Sequence, residues 1–121
     1  MIHHVSIGVS DLGRSGRFYD ALLAPLGWRR VTQAPEAIGY GLHDNPVLVV
    51  NRSRRATPGS GHVCFAAAGI PAVRAAWEAG VAAGGRDQGE PGNRPHFRPG
   101  HYSAYLADPD GHRLEVAVRA E

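Results

Sequence analysis

Asp108-Pro109-Asp110-Gly111-His112-Arg113-Leu114-Glu115-Val116 is the stretch from which the fold can be read. Asp-Pro followed by Asp-Gly is turn chemistry, because proline fixes φ and glycine tolerates positive φ. Beyond the turn the residues alternate. His112, Leu114, Val116 and Val118 fall on one side; Arg113, Glu115 and Ala117 fall on the other. A period of two marks a strand. Glu115 therefore stands mid-strand among apolar neighbours, where a carboxylate is costly unless it is paired or bound to a cation.

Working outward, residues 101–107 read as a strand and 86–100 as a short strand followed by a proline- and glycine-rich loop. Residues 62–67 alternate, with Val63, Phe65 and Ala67 on one side and His62, Cys64 and Ala66 on the other. Between them, Pro71 suits a first helical turn. Ile70, Val73, Trp77 and Val81 follow at helical spacing until Gly84-Gly85. The second half is thus βαβββ. The first half repeats the order. A strand over 2–9 precedes a helix capped by Ser10 or Asp11, which runs from Leu12 to about Leu23. Short strands over 28–33, 37–43 and 46–51 then follow, the last two joined by the turn His43-Asp44-Asn45-Pro46.

The halves form an internal repeat. An offset of 62 − 4 = 58 places His4 on His62, Val5 on Val63, Tyr19 on Trp77 and Gly27 on Gly85. Aligning the turns Asp44-Asn45 and Asp110-Gly111 puts Val49 opposite Glu115, so histidine occurs twice and the carboxylate once. The expected organisation is one domain over 1–121: module 1 about 1–52, a Ser/Pro/Gly-rich linker about 53–60, and module 2 about 61–121.

The 121 residues are 43% apolar with a net charge of +2, and all thirteen basic residues are arginine. That composition suits a soluble core-forming domain. No apolar run reaches the roughly 18 residues of a membrane span. The one arginine cluster, Arg52, Arg54 and Arg55, lies in the linker and reads as a solvated loop rather than a nucleic-acid surface. A single cysteine, Cys64, and a start without a basic or apolar leader give a cytoplasmic expectation.

The motifs His4-Val5-Ser6-Ile7-Gly8-Val9-Ser10-Asp11-Leu12 with Ser15 and Phe18-Tyr19, then Gly61-His62-Val63, then Asp108-Pro109-Asp110-Gly111 with Glu115, resemble the vicinal oxygen chelate superfamily. This is the glyoxalase, bleomycin-resistance and extradiol-dioxygenase group. The resemblance implies an α+β fold in which two βαβββ modules, related by a pseudo-two-fold axis, curl their mixed sheets into a cup. It implies a divalent metal (Zn, Ni, Mn or Fe) held by His4, His62 and Glu115. Where glyoxalases often carry a second carboxylate, this chain has Val49. A three-ligand set resembles the fosfomycin-resistance transferases and extradiol dioxygenases, and Ser6, Ser103 and Tyr105 fall where the fosfomycin group places polar substrate contacts.

Two imidazoles and a carboxylate leave open positions on an ion, the arrangement of catalytic sites. Their donor atoms are expected within roughly 4–5 Å of one another, given metal–ligand distances near 2.0–2.2 Å. The alternative is a pair of hydrogen-bonded strand histidines, with Glu115 paired to Arg113 or Arg94. Ser6, Cys64, Ser103 and Tyr105 share the candidate face. Arg94, His96, Arg98 and His101 lie on a proline-stiffened loop able to cover the cup and bind an anionic or aromatic ligand. His3 and His112 should face elsewhere. The function expected is a metal-dependent lyase, isomerase, transferase or dioxygenase acting on a small substrate with vicinal oxygens. No general base is placed. The alternative is a metal-free drug- or ligand-binding protein of the bleomycin-resistance type. In either case a homodimer is expected, since curled half-open sheets have edges to cover.

Overall fold

A computed structural model describes residues 1–119. The chain runs β1 (Val5–Val9), α1 (Leu12–Leu23), a 3-10 turn (Ala24–Leu26), β2 (Arg29–Ala34), β3 (Ala37–Gly41) and β4 (Leu48–Arg52). After residues 53–61 it repeats: β5 (His62–Ala67), α2 (Ile70–Ala82), β6 (Arg86–Asn93), β7 (Tyr102–Ala107) and β8 (Arg113–Val118). The two sheets have the orders β1-β4-β3-β2 and β5-β8-β7-β6. In each, the first and last strands of the module pair in parallel and the other neighbours are antiparallel. The fold is therefore α+β with two repeated βαβββ modules.

Helix α1 begins where Asp11, in extended conformation, accepts a hydrogen bond from the Arg14 backbone N–H at 3.0 Å. This satisfies one of the free donors of the first turn. Its inward stripe is Ser15, Gly16, Phe18, Tyr19, Leu22 and Leu23. Helix α2 carries Pro71 in its first turn and buries Val73, Ala76 and Gly80. Each helix covers one face of its own sheet, and the two helices touch. Phe18, Tyr19, Leu22, Tyr40, Val50, Leu106, Leu114 and Val116 are fully buried in the single core that results. The helices approach closely. A Cβ on Gly85 would lie 2.6 Å from the Phe18 ring and 2.8 Å from the Gly80 carbonyl oxygen.

The Asp108–His112 turn ties the modules together. Gly111 takes φ 98°, the left-handed region that glycine enters freely. Asp108 Oδ1 accepts the backbone N–H groups of Asp110 and His112, and its Oδ2 accepts the buried Tyr19 hydroxyl at 2.7 Å. Asp110 accepts from the Ser10 hydroxyl at 2.6 Å and from Arg14 at 3.3 Å, and the His112 imidazole donates to the Gly8 carbonyl at 2.7 Å. His112 thus serves the seam between β1 and the second module.

Candidate functional site

Strand register decides which side chains share a face. In the parallel pairs Ser6 lies beside Val49 and Cys64 beside Glu115. The offsets 64 − 6 = 58 and 115 − 49 = 66 make these pairs equivalent, so Glu115 has valine as its counterpart in the first module. Tyr105 lies opposite Glu115 across the antiparallel pair, which puts Cys64, Tyr105 and Glu115 on the face turned away from the core. Leu114 and Val116 face inward and are fully buried.

Glu115 is only 5% exposed, yet no described arginine pairs with it. Its partners are two imidazoles. His62 Nε2 lies 3.0 Å from Oε1, and His101 Nε2 lies 2.8 Å from Oε2. Burial acts to raise the carboxyl, but hydrogen bonds, led by that from His101, outweigh it and hold Glu115 below the usual carboxylate range. The same burial and the Glu115 charge push the Cys64 thiol up to about 12. Tyr105 is raised as well, first by burial and then by Glu115.

His101 arrives on the 94–101 loop, which closes on itself. The Arg94 N–H donates to the His101 carbonyl at 2.6 Å, and the Phe97 and His101 rings lie 4.5 Å apart. Arg94 donates to the Glu90 carbonyl at 2.6 Å, and its guanidinium stands 5.5 Å from the centroid of the Tyr105 ring. A cleft of about 370 Å³ beside this loop is lined by His62, Gln88, Gly89, Arg94, His96, Tyr105 and Arg113. Neither Arg94 nor Arg113 forms an ion pair among the described residues.

His4 lies apart from this group. It is exposed, and its Nδ1 faces His3 Nδ1 at 2.9 Å. Among the described residues no set of three or more His, Cys, Asp or Glu side chains converges for one ion. His62 and Glu115 meet within one chain; His4 does not join them. The other candidates are distributed. Ser6 lines a seam cavity of about 380 Å³ with His62, His112 and Arg113, and accepts a hydrogen bond from Asn51. Cys64 lines an apolar cleft of about 410 Å³ with Ile2, Val5, Trp28, Val47 and Phe65. Tyr105, Arg94 and His96 share the loop-side cleft. Ser103 is fully buried, and Arg98 stacks its guanidinium on Phe97 at 6.0 Å. His62 borders all three cavities.

The alternation of 113–117 offers Arg113 only as an ion-pair partner of Glu115, whereas the fold sets it in the loop-side cleft. The fold also adds the bond from His101 to Glu115, which is not among the expectations above. The signal for the latter was a histidine at the start of the strand paired with that of Glu115.

A family model for a glyoxalase-like domain matches residues 4–117. Among solved structures, a glyoxalase/bleomycin resistance protein from Albidiferax ferrireducens is 35% identical, with a TM-score of 0.86, over 96% of this chain and 97% of that one. A glyoxalase-related enzyme from Fulvimarina pelagi is 29% identical, with a TM-score of 0.77, over 98% and 88%. The fosfomycin resistance protein FosX from Mesorhizobium loti, at 19% identity and a TM-score of 0.70 over 97% and 90%, shares the fold. No curated protein matches the chain. No described helix is long and apolar enough to cross a membrane.

Proposed function

Because the chain belongs to the glyoxalase-like family of the vicinal oxygen chelate superfamily, we propose that it is a metal-dependent enzyme acting on a small anionic substrate with two adjacent oxygens. The observation that carries this reading is the 3.0 Å approach of His62 Nε2 to Glu115 Oε1 on the face turned from the core. Two donors each about 2.0–2.2 Å from one ion stand roughly 3 Å apart, so the pair already has the spacing of neighbouring ligands. Both are nitrogen or oxygen donors suited to Zn, Ni, Mn or Fe.

The third donor in this reading is His4 of a second copy. His4 precedes β1 as His62 opens β5, so the repeat puts an equivalent imidazole on the first module. A two-fold pairing that sets module 1 of one copy against module 2 of the other would build two identical sites. The exposed apolar residues Ile2 and Val47 border a cleft that also contains His62, and they supply surface for such a contact. Members of the superfamily often act as dimers with small-molecule ligands.

A divalent ion bound there would supply Lewis-acid stabilisation of charge developing on the substrate oxygens. The chain's own residues do the rest. Arg94 and Arg113, without carboxylate partners among the described residues, attract and orient an anionic group beside His62. His101, at the end of the 94–101 loop, covers one oxygen of Glu115, and His96, which lines the cleft, is the proton carrier in this reading.

A second reading, a ligand-binding protein without turnover, is favoured by the apolar cleft at Ile2, Trp28 and Phe65. Metal titration of wild type, His62→Ala and Glu115→Ala separates the two, followed by turnover assays with anionic and neutral 1,2-dioxygenated compounds. The enzyme reading expects uptake by wild type, loss in both variants, and turnover biased toward the anionic compounds. A wild type that takes up none of the four metals would contradict it.

A further inference from the structure

We propose that His101 is a positioning residue for Glu115: its Nε2–H holds Oε2, leaving Oε1 to face His62 and the cation. This rests on the metal-centre reading above and adds a residue to it. The ionised carboxylate of Glu115 can only accept hydrogen bonds. Each oxygen faces one imidazole Nε2, at 3.0 Å for His62 and 2.8 Å for His101. Both Nε2 atoms therefore carry hydrogen in the metal-free chain.

The two rings differ in what surrounds them. The His62 side chain is 41% exposed, so water can accept a hydrogen bond from Nδ1–H when the ring proton sits there and a bare Nε2 is offered to an ion. His101 is 8% exposed, and its Nδ1 is buried without a hydrogen-bond partner among the described residues. Moving its proton to Nδ1 would bury a donor with nothing to accept it and would abandon Glu115 as well. Two chemically identical partners of one carboxylate are thus assigned by burial, His62 to the ion and His101 to the carboxylate. Ligating carboxylates are commonly oriented by such outer hydrogen bonds. The closed 94–101 loop and the Phe97 ring hold His101 in place.

The test is long-range ¹H–¹⁵N spectroscopy of the histidine rings in the full-length wild type, with and without saturating Zn²⁺, together with calorimetric Zn²⁺ affinities of His101→Ala and His101→Gln. The expected result is that Zn²⁺ moves the His62 proton from Nε2 to Nδ1 and leaves the His101 Nε2–H in place. His101→Ala should bind about 10–100-fold more weakly. His101→Gln, which keeps an N–H donor, should recover much of that loss. Loss of the His101 Nε2–H on adding Zn²⁺ would make it a ligand and overturn the proposal. So would wild-type affinity in His101→Ala. In both cases a change at His62 would leave the metal reading standing. If neither ring responds to Zn²⁺, the metal reading fails and this one with it. The ring spectra are recorded on wild type, so they decide the matter even if the alanine variant does not fold.

Discussion

Replacing Glu115 with glutamine in the metal-free protein tests the hydrogen-bond arrangement around the site. Glutamine keeps the shape, so no cavity is made. Its amide oxygen can accept one imidazole N–H, but its NH₂ then meets the other donor head-on. The His62 side can recover through water because that ring is exposed, whereas the His101 side is buried. The loss is thus one charge-assisted hydrogen bond, worth about 1.5–3 kcal/mol, less what rotation of the amide recovers. About 1–2 kcal/mol remains, which for a domain of this size lowers Tm by roughly 3–8 °C. The sign with pH follows from the depressed carboxyl. A group held below its unfolded value contributes stability above that value, near 4.3 for glutamate, and loses it as pH falls through the folded value. Wild type should therefore lose this increment on acidification below about pH 4.3, while Glu115→Gln shows no such component. The assay is urea unfolding with a chelator present, from pH 7 down to 3. Equal stability at pH 7 and parallel acid profiles would refute the argument that the two imidazoles stabilise the charged form.

Three further outcomes follow from the packing. Tyr19→Phe removes the buried donor to Asp108 Oδ2 and should cost about 1–2 kcal/mol in urea unfolding, since the two backbone donors to Oδ1 remain. Gly85→Ala drives a Cβ against Phe18 and two carbonyl oxygens, and should lower stability by about 1–3 kcal/mol with the m-value unchanged. Cys64, although it reaches solvent, should react with iodoacetamide far more slowly at neutral pH than a free thiol. Its rate should climb through pH 10, because burial and the Glu115 charge raise its thiol to about 12.

The sequence made the scaffold legible where local chemistry decides structure. Asp11 and the Phe18, Tyr19, Leu22 spacing placed α1 at Leu12–Leu23, the residues it occupies. The turn alignment made Val49 equivalent to Glu115, which the parallel registers reproduce. The ends of strands were less legible. Residues 2–4 alternate like the rest of β1, but β4 begins at Leu48, level with Val5. The segment expected to hold a short strand carries the eight-residue β6. Its irregular pairing with β7 centres on Gly89, and such irregularity breaks the period-two pattern. The partners of Glu115 were legible only in part. Strand parity places His62 on its face, but the conformation of the 94–101 loop, set by turn hydrogen bonds, brings His101 there.

Subunit mixing tests most directly whether a metal site is shared between two copies. His4→Ala and Glu115→Ala are each expected to take up no zinc alone. In a mixed dimer, the His4→Ala copy contributes His62 and Glu115 while the Glu115→Ala copy contributes His4, restoring one of two sites. Random exchange in a two-fold dimer should return about one quarter of the wild-type zinc content, measured after dialysis of an equimolar refolded mixture. A mixture that binds no more zinc than either variant alone would contradict a shared site.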